Sequence, residues 1–332
     1  MPTDQLPPGR LGLPFAGETL ALLRNPFAFL ETRRKKHGDV FKSRVLGRNV
    51  VFLSGVEGAE AFYDEDNISR EHAHPYPILD LFGGVNMEMY DGPRHTALKA
   101  ITTTAFDDAA IAAYLPDMQR LIESRLDGWA QQDEFSATAE LRKLAIEVIC
   151  LNLLGLEPGP QTDAIARDYA AVLKGIVSVP VPIPATPYRH ARQARDRLLA
   201  TIAGLVAERR CNPTGDGLSR MLLAHAPGGR TITDDEAVLE VHHVVIAGFI
   251  VYALMAEILW RLRESPILLA RCAAEVDSGA ALARLHTALQ TVMEAKRLVP
   301  LVPLAFGRAR REFTCGGYRV PTDWTVYLAL RL

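Results

Sequence analysis

Glu294-Ala-Lys-Arg297 closes a run of helical periodicity over residues 282–298 and passes at once into Leu298-Val-Pro-Leu-Val-Pro303. Its carboxylate and guanidinium stand one turn apart, a spacing at which a solvated pair contributes about 0.2–0.5 kcal/mol. The context is what matters. Two prolines stop the helix, because each fixes φ and removes a backbone donor. Past them the chain turns to strand character, with Thr314, Tyr318 and Val320, then Trp324-Thr-Val-Tyr-Leu328. Upstream lies another helical run over residues 267–276. Before that, Thr233-Asp-Asp-Glu236 is a capping box ahead of an apolar run, which starts a helix continuing to about Arg263. Such a helix crosses the width of a domain. Its longest uncharged apolar stretch, residues 244–256, has 13 residues. A bilayer needs about 20, so the expectation is a buried helix and no membrane span.

Working towards the N-terminus, the proline-rich Val179-Pro-Val-Pro-Ile-Pro-Ala-Thr-Pro187 cannot be helical. It reads as a rigid connection or as a lid over a pocket. Helices are expected over residues 93–106, 111–129, 137–154, 165–177 and 188–210, where apolar residues recur three and four apart. Asn25-Pro26 caps and starts a helix that stops at Gly38. Residues 40–45 and 49–53 read as strands joined by Leu46-Gly-Arg48. The whole is mainly α with a minor β-sheet. One domain over residues 1–332 is expected: a β-rich part to about 60, a helical core to about 298, and a β segment from 299.

Lys and Arg number 37 against 39 Asp and Glu, a net charge of −2. That balance argues against a nucleic-acid partner, which normally selects a basic excess. The 48 % apolar content is that of a globular protein. Cys150, Cys211, Cys272 and Cys315 are far apart and form no CxxC pair, so neither a zinc ribbon nor a dithiol is encoded. So few cysteines, with no secretory pattern in the first ten residues, suggest a cytoplasmic protein. GxSxG, P-loop, HExxH and dinucleotide motifs are all missing. His242 and His243 are neighbours, so on a helix they point about 100° apart and cannot share a metal. His95 and Lys99 share a helix face, and Arg308 follows the double proline. Each is a candidate anion ligand.

In order and spacing these segments resemble the cytochrome P450 family along nearly the whole chain. Leu6-Pro-Pro-Gly9 and Gly12-Leu-Pro-Phe-Ala-Gly17 resemble the family's N-terminal segment. Gly38-Asp-Val-Phe-Lys-Ser43 and Leu46-Gly47 resemble its first strands. Gly92-Pro-Arg-His95, Lys99 and Ala105-Phe106 resemble the helix that reaches the heme propionates. Glu294-Ala-Lys-Arg297 resembles the ExxR pair, and Phe306-Gly-Arg308 with Gly316-Gly-Tyr-Arg-Val-Pro321 resembles the sheet that follows it.

The resemblance implies a P450-like fold, heme b, and monooxygenase chemistry on an apolar small molecule such as a terpenoid, sterol or fatty acid. It implies a redox partner such as a ferredoxin or a flavoprotein reductase. His95, Lys99 and Arg308 would contact the propionates. Glu294 and Arg297 would form a buried structural ion pair. Ala247, Gly248, Ile250 and Val251 would line the distal pocket, with the small Gly248 leaving room above the iron. The proline-rich segment would lie between two lid helices.

Two departures from the family pattern stand out. The family's iron-ligating cysteine follows a glycine by four positions, and the four slots here hold Ile146, Ala207, Leu268 and Arg311. The axial cysteine is therefore expected beyond Leu332, with the fold incomplete at its C-terminus. Ile250 and Val251 stand where the family usually has an acid and a threonine that relay protons. Aliphatic side chains cannot move a proton. The alternatives are then rearrangement, dehydration or peroxide use, or a degenerate member without catalysis.

Overall fold

The computed structural model describes residues 5–12, 17–279 and 281–331. Part of the N-terminal motif, residues 13–16, and the terminal Leu332 lie outside them. Helix α1 (Thr19–Arg24) leads to α2 (Pro26–His37), where Asn25 accepts from the Ala28 N–H at 3.0 Å as a cap should. The hairpin β1 (Val40–Val45) and β2 (Arg48–Leu53) follows as expected. Helix α3 (Gly55–Tyr63), strand β3 (Ile68–Ser69) and helix α4 (Tyr76–Leu81) are short elements that periodicity does not announce.

The helical body is α5 (Gly92–Thr103), α6 (Asp108–Ala130), α7 (Ala137–Leu154), α8 (Pro160–Ile176), α9 (Pro187–Cys211) and α10 (Gly217–Leu223). Helices α8 and α9 make the most intimate pair. Gly175 permits it: a Cβ there would stand 2.2 Å from Cβ of Ala191. The capping box at Thr233 forms and opens α11 (Asp234–Ile250). The single long helix expected from sequence is in fact two. At Val251 the N–H turns to the Gly248 carbonyl at 3.3 Å, an i→i+3 bond, and α12 (Tyr252–Glu264) begins. The β-branched pair Ile250-Val251 marks the break, where side-chain crowding weakens helix propensity.

Helices α13 (Pro266–Asp277) and α14 (His286–Leu298) precede β4 (Leu304–Ala309), β5 (Phe313–Cys315), β6 (Tyr318–Val320) and β7 (Thr325–Ala329). The five-stranded sheet runs β1-β2-β7-β4-β3, and β5 pairs with β6 alone. Among the described residues only β2 and β7 pair in parallel, with Val50 opposite Thr325. The largest core cluster fills the space between α4, α5 and α7–α11, from Leu81 to Phe249. A second cluster and a third coat the two faces of the sheet.

Asp234–Glu264 is long and apolar enough, by length and composition, to cross a membrane. The expectation drawn from the uncharged run alone was too strict. In the fold α11 packs against α7 and α9, whereas α12 buries only Leu254.

Candidate functional site

The central helix presents one open side. Val245, Ile246 and Phe249 are buried, while Ala247, in the last turn of α11, is exposed, and Ile250 and Val251 are half-buried. Gly248 corrects the sequence expectation. A Cβ there would lie 3.0 Å from Cγ1 of Ile149, so its smallness serves the α7–α11 contact, not the open side.

His95 does not offer a free nitrogen to an anion. Its Nδ1 lies 2.8 Å from the Met87 carbonyl and its Nε2 3.3 Å from Nη1 of Arg70. A carbonyl only accepts, so Nδ1 carries the proton and Nε2 accepts from Arg70. His95 thus orients Arg70, a cation the sequence reading missed. Lys99 is exposed one turn further along α5. Arg308 pairs with Asp323 at 2.8 Å and lines a cavity of about 430 Å³ with Arg48, His72 and Trp324. His95, Arg70 and Arg310 line a separate cavity of about 460 Å³, with Asp91 between the two arginines. The three residues expected together are therefore not gathered in one cavity: Arg308 lines one, His95 the other, and Lys99 neither. The triple basic spacing Arg308-Ala-Arg-Arg311 was the signal that could have drawn Arg310 in.

Glu294 and Arg297 are paired, with Nη2 to Oε1 at 2.6 Å and Nε to Oε2 at 2.7 Å. They are not buried: 55 % of the glutamate and 67 % of the arginine side chain is exposed. Helix α14 buries only Ala295, so among the described residues nothing covers that face. The hydrogen bonds from Arg297 hold the Glu294 carboxyl below its ordinary range, which keeps both groups charged near neutrality.

A polar cluster sits two turns up α11 from Ala247. Glu240 is buried, and its Oε1 accepts from the Met87 N–H at 2.6 Å. Nε2 of His243 is 3.0 Å from Glu88, and the contact holds the Glu88 carboxyl below its usual range. Asn86 and His74 are buried alongside. His242 stacks on Tyr169, accepts from the phenol at 3.2 Å through Nδ1, and donates from Nε2 to the Leu81 carbonyl at 3.1 Å. It is thus a core histidine.

Burial pushes His242 down to about 4 from 6.5, and pushes Glu240 up to about 7 from 4.5. The two act in opposite directions on stability. The unfolded chain protonates His242 below about 6.5 while the fold resists until about 4, so acid costs stability across that window. The fold keeps Glu240 protonated up to about 7 while the unfolded chain ionises near 4.5, so alkali costs stability there. Glu240→Gln removes one slope, and its urea-derived stability should rise with pH by about 2–3 kcal/mol from about pH 4.5 to 6.5. Burial lowers His74 as well, so Glu240→Gln with His242→Gln should retain a smaller rise, and a variant profile as flat as that of the double substitution would show that His242 carries no such penalty.

Cations and an open apolar helix face fit the carboxylate edge and one flat side of a heme. The residues do not fit the iron's thiolate. Cys150 lies in the core beside Glu147 and Cys315 lies under the sheet, and burial pushes both thiols up to about 12. Cys272 faces Thr291, and Cys211 ends α9. No step through the iron follows from these side chains.

The family profile described as Cytochrome P450 matches residues 7–331. The abscisic acid 8'-hydroxylase 4 of Arabidopsis thaliana is 26 % identical over 339 residues, covering 97 % of this chain and 72 % of the relative. The ent-kaurenoic acid oxidase 1 of the same plant is 25 % identical over 350 residues, covering 97 % and 71 %. A cyanobacterial P450 solved with retinoic acid bound superposes with a TM-score of 0.88 at 24 % identity, over 99 % of this chain and 78 % of that one.

Proposed function

This chain belongs to the cytochrome P450 family, and from that premise we propose that it serves the oxidation of an apolar small molecule of terpenoid, sterol or fatty-acid type. The observation that carries the reading is the open apolar side of α11 around Ala247, Ile250 and Val251. Relatives and neighbours named for abscisic acid, ent-kaurenoic acid and retinoic acid support the substrate class. Lys99, Arg308 and the arginine oriented by His95 would hold the carboxylates of heme b. Electrons would come from a ferredoxin or a flavoprotein reductase, in the cytoplasm. Ile250 and Val251 favour a second reading. Neither side chain donates or holds a proton, so the reaction taken up would be a rearrangement, a dehydration or a peroxide-driven oxidation.

Retinoic acid is a practical probe. It should quench the protein's intrinsic fluorescence on binding. Ala247→Phe, which fills the open side, should weaken that binding by about tenfold or more, since a displaced ligand loses several buried methylenes. Equal affinity in the variant would move the binding site away from α11.

A further inference from the structure

We propose that helices α12 and α13 form one side of a two-fold dimer of this chain. Leu259 and Trp260 on α12, and Ile267, Leu269 and Val276 on α13, are each between 48 and 78 % exposed. Exposed apolar side chains scattered singly are ordinary, but five on two successive, touching helices are a patch. The helices need cover for their own sake. Helix α13 has 12 residues and buries none of them, and α12 buries only Leu254. A helix of that length is marginal in water unless packing of an amphipathic face supports it.

Area says how much cover is missing. The chain exposes 17615 Å². A folded monomer of 36.5 kDa ordinarily exposes about 13,500 Å², which leaves an excess of about 4,000 Å². One side of a standard interface buries about 800 Å², and obligate dimers bury more, so the excess is ample for a stable dimer. Helices α12 and α13 supply 13 and 12 residues, and an interface takes about 20–30 a side.

Charge and composition select a second copy as the occupant. Glu257 and Arg261 are paired with each other, and Glu275 accepts from the Thr287 N–H at 2.8 Å. Among the described residues, Arg263, Glu264, Arg271 and Asp277 join no ion pair, which leaves two groups of each sign. A patch that meets its own image must be complementary to itself, and equal numbers of both signs allow that. A nucleic acid or an anionic lipid surface would select one sign. Arg271 stands one turn from Ile267 and so shares its face, where it would be carried into acyl chains if the patch met lipid. The Arg263 guanidinium lies 5.6 Å from the centre of the Trp260 ring. Tryptophan and arginine together are the residues that anchor protein interfaces.

The test is sedimentation velocity with light scattering on the whole chain at micromolar concentration, without heme. Wild type should run as a discrete species of twice 36.5 kDa. Trp260→Glu and Ile267→Glu should each raise the dissociation constant by about thirtyfold or more, the effect of losing a central anchor. Ile267→Ser, a milder change, should shift it in the same direction. Leu126→Glu, at an exposed site on α6, should leave the dimer intact. In Ile267→Glu, acrylamide quenching of tryptophan should rise as Trp260 is uncovered, while helical circular dichroism stays that of the wild type. Four results overturn the proposal. They are a monomeric wild type, a dimer that survives the α12 and α13 variants but is split by Leu126→Glu, an open-ended series of aggregates with no discrete dimer, and a monomer that binds phosphatidylcholine vesicles through Trp260.

Discussion

Arg209→Ala should lower stability by about 3–5 kcal/mol, while Arg297→Ala should leave the urea midpoint unchanged. The contrast follows from burial. The Arg209 Nε donates to Oδ2 of Asp216 at 2.6 Å, and its Nη2 donates to the Leu154 carbonyl at 3.1 Å, where α7 ends. Oδ1 of Asp216 accepts from the Ser219 N–H at 2.7 Å and so caps α10. Side-chain exposure is 7 % for the arginine and 3 % for the aspartate. Removing the guanidinium leaves a buried carboxylate with one hydrogen bond and no counter-charge, the situation that makes broken buried pairs expensive. It also orphans the last carbonyl of α7. Gly155 shows how closely the chain wraps the pair. A Cβ there would meet Oδ2 of Asp216 at 2.7 Å and Nη2 of Arg209 at 2.9 Å. A loss of this size is about a fifth or more of the total stability of an ordinary domain. Replacing both partners, Arg209→Met with Asp216→Leu, should recover part of it, because no lone charge is left behind. If Arg297→Ala instead falls as far as Arg209→Ala, then the outer face of α14 is covered in solution.

These two pairs show what a linear reading can and cannot reach. Glu294 and Arg297 were visible because helical spacing makes an i, i+3 pair a local feature. Whether the pair is buried depends on what lies over α14, and no pattern within the helix encodes that. Arg209 and Asp216 were invisible as a pair because the turn between α9 and α10 brings them together. The helices themselves were legible from caps and period: the Thr233 capping box forms, and α7 spans the residues expected. The sheet order was not. Parallel strands β2 and β7 are separated by nearly the whole chain, and short strands carry no label for a distant partner. At the site, Arg70 escaped notice because its role comes through His95 from another element. Glu240 escaped because a carboxylate in a helix ordinarily marks the solvent side.

Residues 1–332, reduced and exposed to carbon monoxide with heme supplied, should not show the Soret band of a thiolate-ligated iron. A thiolate ligand would need a cysteine whose sulfur an iron could reach, and Cys150 and Cys315 are each packed within a core cluster, out of reach of any such group. Cys211 is exposed at the far end of α9, and Cys272 lies between α13 and α14 against Thr291. Substituting all four by alanine should therefore leave the carbon monoxide spectrum of this chain unchanged, apart from any loss through Cys150 packing. Lys99→Gln and Arg308→Gln should act on a different quantity, the rate at which supplied heme dissociates. A hydrogen bond to a charged group contributes about 1.5–3 kcal/mol, so each loss should speed dissociation by tenfold or more if the side chain holds a propionate. A thiolate band that disappears in one single cysteine variant would identify that residue as the ligand and require its segment to rearrange around the iron. Spectrum and dissociation rate together separate the two halves of the site, the carboxylate edge that these residues fit and the axial bond that they do not.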